Sequence, residues 1–347
     1  MVIETALILA AGHGKRMKPL TEVIPKPMLP VYGIPFLERI LFNLSGVGIR
    51  RVVVVVGYLR EQIFSYFKEK KQRGVDIQFV IQQEPLGMAH AVKTARKLLE
   101  KEHDFLVCAA DSLFSSNQVK HLIREHKRRH AFITLCLQKI KLNKPIDTAL
   151  VRLENDGRIS YIIEKPLLEL APSNIAARPI YVFNNEMLDQ VEHVERSSRG
   201  EYELQDAIQA TIEMGKRVYG IRINSFTTLN DIHDYLSANW FFLNKIGHSI
   251  LGKLAKDARI ITPSLICQGS IIESGCVVGP YGYIETGVTL EAGVSVKNTI
   301  ILSGVKVGKN AKLVNSVVGP NTDVPSGAQI GYEGTNTIVC FPTTCNT

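Results

Sequence analysis

Two glycines spaced by one residue, Gly12 and Gly14, close an apolar run and are followed at once by Lys15, Arg16 and Lys18. Glycine lets backbone N–H groups approach an anion closely and the basic side chains supply countercharge, so phosphate is the natural guest of such a loop. A dinucleotide fingerprint needs a third glycine at position 17, where Met17 stands. A P-loop needs Ser or Thr after its lysine, where Arg16 stands. Taken alone, a Gly-x-Gly after a strand is also what an ordinary strand-to-helix turn looks like. Other polar groups stand where apolar runs end. Gln82 follows the run 75–81, and Asp111 follows 105–109. A carboxylate in that place suits an oxygen-seeking Mg2+, and it equally suits a helix N-cap for the segment from Ser112 onward.

The elements that must position these groups alternate in type. Residues 6–11, 51–56, 75–81 and 105–109 read as buried strands, and 58–70 and 88–99 as amphipathic helices. That βαβα order argues an α/β domain with a Rossmann-like, mainly parallel sheet covered on both faces, whose ligands sit beyond the carboxyl ends of the strands. The glycine loop, Gln82 and Asp111 all fall at such ends. From 131 to 156 the pattern becomes strand-rich. Asn155-Asp156-Gly157 marks a hairpin between 149–153 and 158–163. A strand at 179–183, a helix at 203–214 ended by Gly215, a strand at 217–223 and a helix at 231–246 complete a first domain, 1–245.

After a linker at 246–257, expected to be helical, aliphatic residues recur every six positions: Ile260, Ile266, Ile272, Val278, Ile284, Leu290, Val296 and Leu302. The register slips by one to Val307 and Leu313, and again to Val318, Val324 and Ile330. This is the hexapeptide repeat of a left-handed parallel β-helix, over 258–332 and about four coils long. The tail, 333–347, carries no pattern.

The glycine loop continues in a way that narrows its chemistry. Leu9-Ala10-Ala11-Gly12-His13-Gly14-Lys15-Arg16-Met17-Lys18-Pro19-Leu20-Thr21 precedes Pro25-Lys26-Pro27-Met28-Leu29-Pro30-Val31. This order resembles the sugar-1-phosphate nucleotidylyltransferases, with their A-A-G-x-G-x-R-x-x-P-L-T and P-K-P-x-x-P-V segments. The resemblance implies that Leu9, Ala10, Ala11, Gly12, Gly14 and Lys15 line the nucleotide and that Arg16 and Lys26 face its phosphates. Gln82 and Gly87, in Gln82-Gln83-Glu84-Pro85-Leu86-Gly87-Met88, would take the base, as in the uridylyl and thymidylyl enzymes. Asp111 would hold Mg2+. Glu164-Lys165-Pro166 and Ser173-Asn174 would bring Glu164, Lys165 and Asn174 to the sugar phosphate. Gly200 to Ile208 resembles a further family segment that reads as structural. The implied substrates are UTP or dTTP and a sugar 1-phosphate, the catalytic set being Arg16, Lys26, Asp111 and Lys165.

The chain departs from that pattern in the sugar and metal half. Met88 replaces a threonine, and Ala110 a glycine. Thr228 stands where the family has its second metal carboxylate, with Phe226 in place of a tryptophan and Asp231 three residues on as a substitute ligand. Ala149 and Pro179 replace two glycines. These changes admit a second reading: a catalytically impaired relative that binds nucleotide or nucleotide-sugar and regulates a partner. Some relatives carry an acyltransferase on the β-helix, built around a histidine. All nine histidines here lie at or before His248, so the repeats are expected to serve oligomer packing or regulation.

The bulk numbers set wider bounds. A chain of 347 residues suggests two domains. The net charge of +8 invites a nucleic-acid reading, but the basic runs 68–73 and 120–130 coincide with helical patterns and lack interleaved aromatics. No C-x-x-C pair occurs among Cys108, Cys136, Cys267, Cys276, Cys340 and Cys345, which argues against zinc. Cys340 and Cys345 are close enough in sequence to bridge under oxidation. No leader and no apolar run of about 20 residues is visible, so a cytoplasmic protein without membrane contact is expected.

Overall fold

The apolar runs of the first two-thirds of the chain assemble into one nine-stranded sheet. The computed structural model describes residues 2–69, 74–142, 145–224, 227–334 and 337–341. The basic run 70–73, Phe226 and Cys345 therefore lie outside the described residues. The strands are β1 (Thr5–Ala10), β2 (Arg51–Val56), β3 (Asp76–Ile81), β4 (Asp104–Ala109), β5 (Ile133–Lys139), β6 (Leu150–Leu153), β7 (Ile159–Ile163), β8 (Ile175–Asn184) and β9 (Val218–Arg222).

β4, β1, β2 and β3 lie side by side and parallel. Leu7, Ile8, Val53, Val54, Val55 and Val107 are fully buried, as strands covered on both faces require. Their carboxyl ends share one edge, and Ala11, Gly57, Gln82 and Asp111 emerge there. β8 is antiparallel to β4 and β5, and β9 is parallel to β5. The β6–β7 hairpin turns at Gly157, whose φ of +86° suits glycine.

The structure corrects three sequence expectations here. The strand expected at 179–183 is ten residues long, and it absorbs Pro179 at a register shift between Arg178 and Tyr181. The helix expected at 88–99 is two pieces, Met88–Thr94 and Arg96–Leu99, because the Ala95 N–H turns to Val92 O in a tighter bond of 3.1 Å. Short turns at Lys15–Met17 and Leu20–Val23 and a hairpin of Pro30–Val31 with Ile34–Pro35 had no periodicity to betray them.

Two compact units result. One comprises Met1–His13, Pro25–Met28 and Phe36–Thr228; the other comprises Gly14–Ile24, Leu29–Pro35 and Leu229–Thr347. In the second, a helix at Ile232–Ile246 grips the small hairpin: Asn239 Oδ1 accepts from Tyr32 N at 2.8 Å, and Tyr235 donates to Pro30 O at 2.8 Å. The rest of that unit is the left-handed β-helix, three parallel sheets of six, five and five strands. Ile266, Ile272, Val278, Ile284, Leu290 and Val296 fill its interior. At the next coil Ile301, not Leu302, joins that core; the Ile284–Ile301 pairing shortens the coil from 18 to 17 residues.

The helix is also longer than the sequence implied. Residues 246–257 are not a helical linker: Ser249–Ile250 and Lys253–Leu254 pair with the next coil, so five coils form rather than four. Ile338–Cys340 adds a sixth strand to one face, inside the stretch expected as an unpatterned tail. Cys108, Cys136, Cys267 and Cys276 are buried free thiols, whereas Cys340 is disulfide-bonded. No helix among the described residues is long and apolar enough to cross a membrane.

Candidate active site

The residues expected to face phosphate and metal stand where β1 and β4 finish. Ala110 N donates to Leu9 O at 2.9 Å, which ties the start of the glycine loop to the residue before Asp111. Gly57, at the end of β2, fits between its neighbours so closely that a Cβ would stand 3.0 Å from Ala11 O and 3.1 Å from Gln82 O. Leu9 to Ala11, Gly57, Gln82 and Asp111 thus line one edge, in the spatial order β4, β1, β2, β3. Three strand spacings place the ends of β4 and β3 about 14 Å apart.

Asp111 does not cap a helix. The helix that follows, Ser116–Arg129, is capped by Ser115. Instead Asp111 Oδ2 receives Lys26 Nζ at 2.6 Å, and Oδ1 accepts from Ser112 Oγ at 3.1 Å. Burial alone would raise its carboxyl pKa; the Lys26 ammonium and these hydrogen bonds outweigh that and hold it below the ordinary value. The group is an anion at neutral pH. Thr228 pairs with Ser112, the residue after Asp111, across a two-residue ladder. Among the described residues, no group of three His, Cys, Asp or Glu side chains is placed to hold a metal ion. One ionised carboxylate completed by phosphate oxygens and water is a donor set that Mg2+ accepts.

Gln82, expected to take the base, stands at the end of β3. Gln82 is 4% exposed. Its Nε2 donates to Gly87 O at 3.1 Å and sits 2.9 Å from His90 Nδ1. Gly87 has φ +101° and leaves no room for a side chain, since a Cβ would come within 2.6 Å of Tyr202 O. Tyr202 brackets this turn through its backbone, donating to Leu86 O at 2.8 Å and accepting from Ala89 N at 3.0 Å. The segment around Gly200 is structural in this concrete sense. Sequence reading missed His90, although a histidine one helical turn past Gly87 was a visible signal.

The residues expected to take the sugar phosphate are less uniform. Glu164 follows β7, and Lys165 takes φ +44°, a left-handed conformation rare for a residue with a side chain. Lys165 Nζ lies 3.6 Å from Glu164 Oε1. Tyr181 is fully buried, and burial above all raises its phenol pKa. Asn174 holds β5 through its backbone, accepting from Ile140 N at 3.0 Å, while Ser173 Oγ donates to Val151 O at 2.6 Å.

Burial raises the Glu164 carboxyl from 4.5 to about 7, against the opposing pull of Lys165. The folded state therefore holds this proton more tightly than the unfolded chain. Its contribution to stability is greatest below the unfolded value and is lost as pH climbs through about 7. Glu164→Gln is expected to stabilise the fold at pH 8 by on the order of 3 kcal/mol and to leave it unchanged near pH 4. Urea unfolding at the two pH values checks this, and equal stability at pH 8 contradicts it.

Gly14, Lys15 and Arg16 belong to the second unit. Gly14 has φ +64°, and its carbonyl accepts from Met17 N at 2.9 Å and Thr21 Oγ1 at 3.0 Å, which closes the turn. Lys15 and Arg16 are exposed, and Arg16 Nη2 donates to Asn230 Oδ1 at 3.3 Å. Asp231 is the N-cap of the helix Ile232–Ile246, accepting from Asp234 N at 2.9 Å. One of its oxygens is thereby committed to the helix end. A separate cleft of about 620 Å³ opens where β4, β5 and β9 begin, lined by Asp104, His126, Phe132 and Arg217 among others. It contains none of the motif residues.

A family model described as nucleotidyl transferase matches residues 5–243, and one described as the GMPPB C-terminal domain matches 260–340. The chain belongs to the nucleotidyl transferase family. Among relatives, the bifunctional protein GlmU of Methanococcus maripaludis strain C7 is 36% identical over 271 residues, which are 77% of this chain and 61% of that protein. The protein of the same name from strain C5 is 33% identical over 94% of this chain and 76% of its own length. The low-salt glycan biosynthesis nucleotidyltransferase Agl11 of Haloferax volcanii is 27% identical and matches end to end, at 96% and 97% coverage. A UDP-glucose pyrophosphorylase crystallised with UDP-glucose shares the fold, with a TM-score of 0.64 at 22% identity over 70% of this chain and all of that one.

Proposed function

We propose that this chain joins a sugar 1-phosphate to UTP or dTTP, giving a nucleotide-sugar and pyrophosphate. The observation that carries the reading is one sheet edge with an ionised Asp111–Lys26 pair at one end and a buried glutamine at the other. Similarity to a UTP–glucose-1-phosphate uridylyltransferase, AglF of Haloferax volcanii, 32% identical over 64% of this chain and 88% of its own length, supports it.

An oxygen of the sugar 1-phosphate attacks the α-phosphorus of the nucleotide. The new O–P bond forms as the bond to the β-phosphate oxygen breaks, and pyrophosphate carries away that electron pair. This reaction needs positioning and charge neutralisation more than covalent help. Mg2+ held by Asp111 supplies neutralisation at the α-phosphate when bound. Lys26 offers its ammonium to the same phosphates, Lys165 holds the incoming sugar phosphate, and Glu164 and Asn174 take the sugar. Gln82 spends its amide N–H groups inside the protein, so its carbonyl oxygen is left for the base. An acceptor suits the imide N–H of uracil or thymine. Cytoplasmic location and self-association through the β-helix belong to the same proposal. Residues 249–347 contain no histidine to serve a second, acyl-transfer activity.

Arg16 is assigned to the leaving β- and γ-phosphates. Arg16→Ala is expected to lower kcat about 100-fold while KM for the nucleotide moves less than about threefold, because the charge it meets develops in the transition state. Steady-state kinetics check this. The function itself is tested by pyrophosphate release from each of the four NTPs and dTTP with a panel of sugar 1-phosphates. Turnover restricted to UTP or dTTP is expected. Nucleotide binding without turnover on any sugar overturns the assignment in favour of a regulatory subunit.

A further inference from the structure

We infer that His90 is a positioning residue that fixes the orientation of the Gln82 amide and so sets which base edge the protein accepts. The inference rests on the proposed nucleotide reading of Gln82 and extends it to a residue that touches no substrate.

One nitrogen, Gln82 Nε2, is shared by two partners: Gly87 O at 3.1 Å and His90 Nδ1 at 2.9 Å. A backbone carbonyl can only accept, so the amide nitrogen, not its oxygen, must face Gly87. Nε2 has two hydrogens. With one on Gly87 O, the other points at His90, which must then present a lone pair at Nδ1. His90 is therefore neutral, with its proton on Nε2. Both amide hydrogens are consumed, and Oε1 remains as the group for the base. An acceptor there matches the N3–H of uracil or thymine and opposes the N3 lone pair of cytosine.

The surroundings favour the neutral ring. Burial lowers the His90 pKa from 6.5, Lys93 on the same helix and Arg196 lower it further, and Glu84 in the preceding loop opposes them. The Tyr202 ring stacks at 6.1 Å on the other side, and Arg196 lies over that ring at 5.3 Å. Once protonated, Nδ1–H would confront the amide N–H. Rotating the amide would set Oε1 against Gly87 O, so neither orientation would satisfy both neighbours and the amide would lose its fixed orientation.

The test is equilibrium binding of UTP and CTP, which share sugar and phosphates and differ at the base edge. At pH 7.5 the wild type is expected to prefer UTP. His90→Phe keeps the ring against Tyr202 and removes the acceptor; it should cut the UTP-over-CTP preference about tenfold, the worth of one buried hydrogen bond. His90→Leu is a second removal variant if the first does not fold. His90→Gln carries an acceptor and should restore most of the preference. In the wild type the preference should fall as His90 titrates, below pH 6.5, and His90→Gln should show no such fall. Undiminished preference in both removal variants, or a flat profile while the His90 resonance titrates by NMR, overturns the role of His90 alone. Equal binding of UTP and CTP by the wild type at pH 7.5 overturns the base reading itself.

Discussion

Asp111→Asn is expected to lower sugar-1-phosphate-dependent turnover by roughly 10²–10³-fold, the scale of losing one preorganised electrostatic contact in a dry site. Its effect on binding separates this from simple damage. The carboxylate repels a triphosphate unless a cation lies between them, so wild-type affinity for UTP should rise with Mg2+. In the variant that dependence should vanish, and metal-free affinity should increase. The Lys26 side chain is only 13% exposed and its ammonium loses its 2.6 Å partner, so some stability is lost as well. Lys26→Met in the Asp111→Asn background removes the stranded charge and should recover stability without recovering turnover. Calorimetry with and without Mg2+, beside a melting curve, checks all of this. Unchanged Mg2+ dependence in Asp111→Asn contradicts the assignment.

Two glycines assigned to the proposed nucleotide site are expected to respond in opposite ways. Gly87→Ala forces a side chain onto φ +101° and to within 2.6 Å of Tyr202 O and 2.9 Å of Tyr202 N, both backbone atoms fixed by their own hydrogen bonds. Strain and overpacking together should cost roughly 2–4 kcal/mol of stability. UTP affinity should fall with it, since the turn also holds Gln82. At Gly12 a Cβ meets nothing within 4 Å of the chain, and the backbone there is not left-handed. Gly12→Ala should leave folding within about 1 kcal/mol of wild type and weaken the nucleotide alone, because the space that the methyl fills is the space a phosphate needs. Unfolding midpoints and UTP titrations of the two variants decide. A Gly12→Ala protein that is unstable, or that binds UTP as wild type does, contradicts the phosphate loop.

What was legible in the sequence was whatever a period or a run encodes. Val52 to Val56 announced a strand covered on both faces, and the six-residue beat of Ile266, Ile272 and Val278 announced the β-helix. The first coil was hidden because Ile250 stands four residues, not six, before Leu254 and so breaks that beat, as terminal repeats do. Lys26 and Asp111 each stood in a motif, but nothing in their 85-residue separation says that they pair. That follows from β1 and β4 being neighbours, which is a property of the whole sheet. Asp111 was as good a helix cap as a metal ligand until Ser115 took the cap. Asp231, offered as a substitute ligand, is drawn to the start of its own helix by Asp234 N, a local bond that any Asp before a helix can make. His90 escaped because its role depends on the loop after Gln82 folding back to bring a ring eight residues away within 2.9 Å.

The central claim is that a nucleotidyl group, not a phosphoryl group, is transferred. The most direct measurement follows radiolabel from UTP carrying ³²P at the α- or the γ-position, incubated with Mg2+ and the preferred sugar 1-phosphate. The account predicts that the α-label enters the nucleotide-sugar and that the γ-label leaves as pyrophosphate. A γ-label on the sugar, or no movement of the α-label with any sugar that binds, would contradict it.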